Sequence, residues 1–450
     1  MRKVLNLFQA NKMNTDIGFV AGLVDEAFEE DREATIRTLF YSRDVRGGEG
    51  YRKFFREAMS HLIKKDKDLV ISTIDKIPEY GRFDDLVFIK GDPDVERKCL
   101  SVFAREINKG NALAAKWCPR ESSSNNEKKF FAKRLRNYMK RDAKSFRKLI
   151  SELCANADVP EQKMSANDWE SIHLEKMPSK CLVRNINALI RHVPEHVKSF
   201  LSEVKKGNVK LKTTNLSPVD ICVQSRTVDK EQVNMFWEEL DNFIPEDTTI
   251  LSMVDTSGSM SRPVPNTNYT CLDVAVGFGT YVATKSSGIW KNTFLTYSEH
   301  SKLESIPRNS NIVDVFDNMR KSHWGYSTNL ESSVDAMVQY MKDGGATEND
   351  VPDYIIIFSD MALNGKIRIS DAPAVVKKML KHAGYKKSPI IVNWNIGGST
   401  MPNAEIGDGY MNVSGFAPNT LETILTSPED ITPMAHMKRV IYSERYDNLV

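Results

Sequence analysis

The chain has 450 residues, 41% hydrophobic and 27% charged, with 62 Lys+Arg against 60 Asp+Glu. That length exceeds one ordinary core and calls for two or three domains, and the composition is globular rather than disordered or fibrous. Six scattered cysteines with no Cys-x-x-Cys pair argue against a zinc site or a disulfide framework, and no apolar signal core or membrane-length apolar stretch is present, so a cytoplasmic chain without a membrane partner is expected.

Residues 1–245 read as helix after helix. Val95, Cys99, Val102 and Phe103 share a helix face, as do Phe146, Leu149, Ile150 and Leu153. Val197, Phe200, Leu201 and Val204 repeat the pattern before a stop at Gly207. Strand-like alternation is nearly absent, and short amphipathic helices joined by brief turns predict a helical-repeat domain over 1–245, although no clean period shows. The charge is uneven: residues 1–245 carry 44 Lys+Arg against 37 Asp+Glu, a net of +7, and residues 246–450 carry 18 against 23, a net of −5.

Three segments of this half stand out. Arg43 to Arg52 is a Gly-rich basic loop, but it lacks the Gly-Lys-Ser/Thr ending of a phosphate-binding loop, so nucleotide binding there is not expected. In the turn from Ile77 to Leu86, Asp84 and Asp85 read as N-terminal charges on a following helix rather than as catalysts. The third segment carries Lys116, Arg120, Lys128, Lys129, Lys133, Arg134, Arg136, Lys140, Arg141, Lys144, Arg147 and Lys148, opposed only by Glu121, Glu127 and Asp142. Trp117, Phe130, Phe131 and Tyr138 are interleaved with them. Cations supply phosphate contacts and aromatics stack on unpaired bases, which makes this a candidate RNA-binding face. The same residues also suit a solvated helix face with its aromatics turned into the core.

Residues 206–246 look like a joint. Lys205 to Lys212 is basic and extended, residues 228–243 read as one last helix with Val233, Phe236, Trp237 and Leu240 apolar, and Pro245 breaks the chain. From there strands near 249–254, 290–296, 354–359, 389–396 and 410–414 alternate with helices near 270–285, 312–320, 329–342, 371–383 and 419–426. This order predicts an α/β doubly wound domain over 246–450 with a ligand crevice at the carboxyl ends of its strands. One strand runs into Asp255-Thr-Ser257-Gly-Ser259, another ends at Asp360, and between them a loop offers Ser327 and Thr328. Asp-x-Ser-x-Ser alone is often an N-cap and turn. Three such oxygen-bearing pieces at strand ends suit Mg²⁺ or Mn²⁺.

The order Asp-x-Ser-x-Ser, then Thr, then Asp resembles the metal-ion-dependent adhesion site of von Willebrand factor A domains. The resemblance implies Asp255, Ser257 and Ser259 as primary ligands, Thr328 (with Ser327 as its substitute) as the second-loop ligand, and Asp360 close to the metal, often through water. The two halves together are similar to the Ro autoantigen (TROVE) layout, a ring of HEAT-like helices closed by a von Willebrand A domain. More closely, the chain resembles an uncharacterised Ro-like family through Leu39 to Gly48, Pro78 to Asp85, Ala115 to Arg120, Lys163 to Ala166 and Pro178 to Lys180. The Ro analogy implies a non-catalytic ribonucleoprotein component that binds structured or misfolded non-coding RNA. A second reading stays open: a Mg²⁺-dependent adaptor in which a partner's Asp or Glu completes the metal site. No enzyme is expected, because a single directly ligating Asp lacks the bridging carboxylates of a two-metal hydrolase. The eight histidines show no metal-binding spacing, and Pro194 separates His192 from His196.

Overall fold

In the computed structural model, which describes residues 1–10, 16–156, 159–211, 213, 216–264, 267–297, 301–321, 329–360, 371–396, 409–414, 421, 425 and 433–449, the chain begins as a run of helices. They are α1 (Arg2–Gln9), α2 (Ile17–Glu30), α3 (Arg32–Arg43), α4 (Arg52–Leu62), α5 (Lys67–Thr73), α6 (Ile77–Tyr80), α7 (Pro93–Asn108), α8 (Ala112–Trp117), α9 (Asn126–Tyr138) and α10 (Ala143–Ala155). After them come α11 (Pro160–Ser165), α12 (Ser179–His192), α13 (Pro194–Lys205), α14 (Pro218–Gln224) and α15 (Lys230–Glu238). The sequence starts them with short acceptors: Asp16, Asp31, Asp66, Asp92, Asn111, Asn125, Asp142 and Asp229 each accept a first-turn N–H. Each such cap contributes ~1 kcal/mol. The expected helices around Val95, Phe146 and Val197 are α7, α10 and α13.

The second half is a six-stranded sheet of β1 (Ile250–Asp255), β2 (Thr293–Tyr297), β3 (Leu303–Ser305), β4 (Tyr354–Ser359), β5 (Ile390–Asn395) and β6 (Tyr410–Ser414), in the order β3-β2-β1-β4-β5-β6. Only the β2–β3 pair is antiparallel. β3 is the one strand the periodicity does not predict, because three half-exposed residues carry no alternation. The flanking helices are α16 (Cys271–Lys285), α17 (Ile312–Lys321), α18 (Leu330–Asp343) and α19 (Ala372–His382), with α20 (Pro433–Ile441) near the end of the chain. The expected helix near 419–426 falls largely outside the described residues.

The continuous apolar runs of β1 and β4 follow from burial on both faces. Ile250, Val254, Ile356 and Phe358 turn to α16, while Leu251, Met253, Ile355 and Ile357 turn to α18 and α19. α16 lies so close that a Cβ on Gly279 would come within 2.4 Å of Val254 Cγ2, so only glycine fits there. The core on the α16 side continues through Val219, Phe236 and Leu189, so α12 to α15 pack into the same apolar body as the sheet.

A second core gathers α1 to α10 and also takes in Met437, Val440, Ile441, Tyr446 and Leu449 from the far end of the sequence. The Gly-rich loop after α3 is the receptor for that segment. It folds back so tightly that a Cβ on Gly48 would sit 2.0 Å from Tyr41 O. The buried Asp44 at its start accepts from Arg445 Nη2 at 2.7 Å and from the Tyr446 hydroxyl at 3.0 Å. Tyr446 stacks on Tyr80 with ring centroids 5.6 Å apart, and Arg37 donates to Ile441 O at 3.3 Å.

Candidate functional site

β1 and β4 are hydrogen-bonded neighbours, and the chain leaves β1 toward β2 on one side before returning to β4 on the other. Their carboxyl ends therefore flank the switch point where open α/β sheets bind ligands. Asp255, at the end of β1, is fully buried. Its Oδ1 accepts the Ser257 N–H at 2.9 Å and its Oδ2 accepts the Ser359 hydroxyl at 2.7 Å. The Ser257 and Ser259 hydroxyls are hydrogen-bonded at 3.0 Å, and Ser259 donates to Asp360 Oδ1 at 3.2 Å. Asp255, Ser257, Ser259 and Asp360 thus converge on one crevice. Thr328 and Ser327 lie outside the described residues; Asn329, directly after them, caps α18 by accepting from Ser332 N at 3.2 Å.

Burial pushes the Asp255 carboxyl above its ordinary range and the nearby Asp360 charge adds to this, against hydrogen bonds from Ser359 and Ser257 that favour the anion. Two carboxylates and two hydroxyls around one point form a hard-oxygen donor set whose mutual repulsion a divalent cation would relieve. The set fits Mg²⁺ or Mn²⁺. Among the described residues no group of three or more His, Cys, Asp or Glu side chains assembles, so the hydroxyls are essential to any metal reading. Arg262 is not legible in the sequence as part of this site. Its Nε lies 3.2 Å from Asp360 Oδ2, its Nη2 donates to Asp360 O at 2.9 Å, and its side chain stays 42% exposed at the rim. The only signal for it was position, three residues after Ser259.

The basic segment forms α8, α9 and α10 with their connections. α9 turns Phe131, Ala132 and Leu135 into the core and leaves Phe130 63% and Tyr138 45% exposed. These two aromatics stand eight residues apart on one face, about 12 Å along the axis at ~1.5 Å per residue. Lys133 and Arg134 lie between them on α9, with the Arg134 guanidinium 5.5 Å from the Phe130 ring centre, and Lys140 and Arg141 follow in the turn after the helix. The twelve predicted cations divide. Lys129, Lys133, Lys140, Arg141, Lys144 and Arg147 have no acidic partner among the described residues. Lys116 reaches Glu161 at 3.9 Å, Lys128 reaches Asp84 at 3.8 Å, Lys148 reaches Glu152 at 3.7 Å and Arg136 reaches Glu121 at 2.7 Å. Arg134 pairs with Glu96, and Arg120 lies against Cys154 Sγ at 3.5 Å. Trp117 is taken up by the Arg82 guanidinium, 3.9 Å from its ring centre.

Asp84 and Asp85 lie beneath this face in the first turn of a short 3-10 helix (Phe83–Asp85), where Asp85 Oδ2 accepts the Arg82 N–H at 2.9 Å, and both also belong to a buried ion network. Asp85 is fully buried between Arg43 and Arg56, each at 2.7 Å. Asp84 meets Arg82 at 3.0 Å and Arg56 at 3.4 Å. Losing either acid would strand buried guanidinium groups, which gives both a structural reason to be present. His192 likewise has a packing partner, stacking on Trp169 with centroids 4.0 Å apart.

Two models of domains of unknown function match the chain, DUF2828 over residues 97–246 and DUF7788 over residues 249–444. An uncharacterised protein of Acanthamoeba polyphaga mimivirus is 25% identical over 471 residues, covering 92% of this chain and 80% of its own length. The crystal structure of the Ro (RSR) protein of Deinococcus radiodurans matches with a TM-score of 0.52 at 13% identity, over 90% of this chain and 93% of that one. At this identity the likeness is one of fold: the helical half and the α/β half together have a Ro-like arrangement. No helix among the described residues is long and apolar enough to cross a membrane.

Proposed function

We propose that this chain is a non-catalytic RNA-binding protein of Ro type, contacting RNA through the outward face of α9 and α10. The observation that carries the reading is a segment, α9, α10 and their connection, that carries six cations without an acidic partner among the described residues together with two solvent-facing aromatic rings. Cations there bind phosphate at a cost set by salt, and exposed rings stack on unpaired bases. The Ro-like fold adds an analogy of layout, from which structured or misfolded non-coding RNA follows as the ligand class. Replacing Lys129, Lys133, Arg141 and Lys144 with Glu removes four unpaired cations without touching the ion-paired ones. Fluorescence anisotropy with single-stranded RNA should then lose affinity, and the slope of log K against log salt should fall by about 3, at ~0.7 per phosphate contact. Phe130→Ala should weaken binding with little change in that slope. An unchanged affinity in the four-site variant would remove this reading.

The same proposal places Mg²⁺ or Mn²⁺ at Asp255, Ser257, Ser259 and Asp360, with Thr328 from the second loop. The metal would supply an open coordination position for an oxygen ligand. A second reading, the adaptor whose partner donates an Asp or Glu to that position, draws support from Arg262. Its partly exposed guanidinium beside Asp360 carries N–H donors of the kind that bind a carboxylate. Pulldowns with and without chelator separate the two readings.

A further inference from the structure

A cavity of about 360 Å³ lies between α12, α14 and the loop at 267–269, away from both surfaces described above. It is lined by charge and amides over an apolar floor. Asp220 on α14 is the only acid among the described residues that line it, and that carboxylate is already satisfied. It accepts the Ser217 N–H at 3.1 Å, the Tyr269 hydroxyl donates to it, and Lys180 Nζ lies 2.9 Å away. Lys180 therefore cancels Asp220. Arg184, one turn further along α12 and exposed, has no acidic partner among the described residues. The lining is left with one net positive charge, carried by a planar guanidinium.

The remaining walls are specific in another way. The side-chain amides of Gln224 and Asn268 line the cavity with no intramolecular hydrogen-bond partner among the described residues, so each offers a donor and an acceptor to an occupant. Val183 and Val223 supply the apolar contact. A bare inorganic anion would use Arg184 and leave the amides and valines idle. A purely apolar molecule would make no use of the guanidinium or the amides.

We propose that this cavity binds a nucleoside monophosphate, its phosphate held by Arg184 and its base edge read by Gln224 and Asn268 over Val183 and Val223. Guanidinium matches phosphate in planar, two-point geometry, and the volume falls in the range of small-molecule pockets. The proposal does not depend on RNA binding at α9 and α10, since no residue is shared.

The test is isothermal titration calorimetry of the full chain with each of the four ribonucleoside 5′-monophosphates, and with inorganic phosphate and adenosine as separate probes. At least one monophosphate should saturate with a Kd below ~1 mM and bind at least ~10-fold more tightly than inorganic phosphate or adenosine, a gap of about 1.4 kcal/mol. Arg184→Ala should weaken that binding by ~10-fold or more, and Arg184→Lys should recover part of it, because Lys keeps the charge but not the fork. Gln224→Ala should narrow the preference among the four bases. The variant with Lys129, Lys133, Arg141 and Lys144 changed to Glu should bind the monophosphate as the unaltered chain does. Absence of saturation by all four monophosphates overturns the proposal, and so does equal binding of inorganic phosphate, which would mark a bare anion site. Unchanged affinity in Arg184→Ala, or loss in the four-site variant, would place the binding elsewhere and overturn it as well.

Discussion

Asp44→Ala is the sharpest perturbation the packing offers. The carboxylate is fully buried, and it takes donors from Arg445, from the Tyr446 hydroxyl at 3.0 Å and from its own loop at Arg46 N, 2.9 Å away. Removing one partner of such a buried pair costs ~3–5 kcal/mol, since the guanidinium and the phenol lose their acceptor. The apolar part of the contact survives: Met437, Ile441, Tyr446 and Leu449 stay buried, each contributing ~1.5–3 kcal/mol. The segment should therefore open more often without leaving for good. By hydrogen exchange with mass spectrometry, amides of residues 433–449 should exchange about 100-fold faster, the equivalent of ~3 kcal/mol, while α7 and α9 keep their protection. Arg445→Met should cost a similar amount, and the double variant should cost less than the sum of the two. A change under ~3-fold in 433–449, or additive costs, would refute the claim that this ion pair fastens the segment.

Two further outcomes are expected. Mg²⁺ should raise the melting temperature of the unaltered chain and leave that of Asp255→Ala unmoved, with a gain of about 2.7 kcal/mol at 100 times the Kd; equal shifts in both proteins would remove the metal assignment. Asp142 caps α10, and hydrogen bonds from the Ser145 hydroxyl, then from the N–H groups of Ser145 and Lys144, hold its carboxyl down to about 2, below the ordinary 3.8. A depressed acid stabilises the fold above its unfolded value and loses that contribution as pH falls from about 4 toward 2. The Asp142 resonance in an NMR titration should move with a midpoint near 2, and an ordinary midpoint would contradict the cap.

What the sequence disclosed and withheld follows from the range of each interaction. β1 and β4 were legible because a strand buried on both faces is apolar along almost its whole length, and each ends abruptly in polar residues. Asp255, Ser257 and Ser259 were legible as one cluster because two and four residues of loop keep their oxygens together. Asp360 joined them through parallel pairing of β1 and β4, which the order of strand-end motifs suggested but periodicity cannot encode. The ion partners of Asp84 and Asp85 were hidden for the opposite reason, since Arg43 and Arg56 arrive from other helices. Packing of α12 to α15 on the sheet, and of Tyr446 on Tyr80, involves side chains whose local pattern is that of any amphipathic helix. The basic stretch was visible by composition, but which of its cations stay unpaired depended in part on Asp84, Glu96 and Glu161, carried by other segments.

The Asp44–Arg445 pair spans 401 residues. During synthesis at ~5–20 residues per second, the loop after α3 waits roughly 20–80 s for the residues that fill it. The first helices to emerge thus cannot complete their own core, and Tyr41, Phe40 and Tyr80 stand ready for non-native contacts in the interval. The α/β half, whose strands pair within a shorter stretch of chain, is free to fold first and bring the last segment back to the beginning. A nascent chain stalled before residue 433 should accordingly be a better chaperone substrate than one stalled after 449, although the two differ by only a few per cent of the chain.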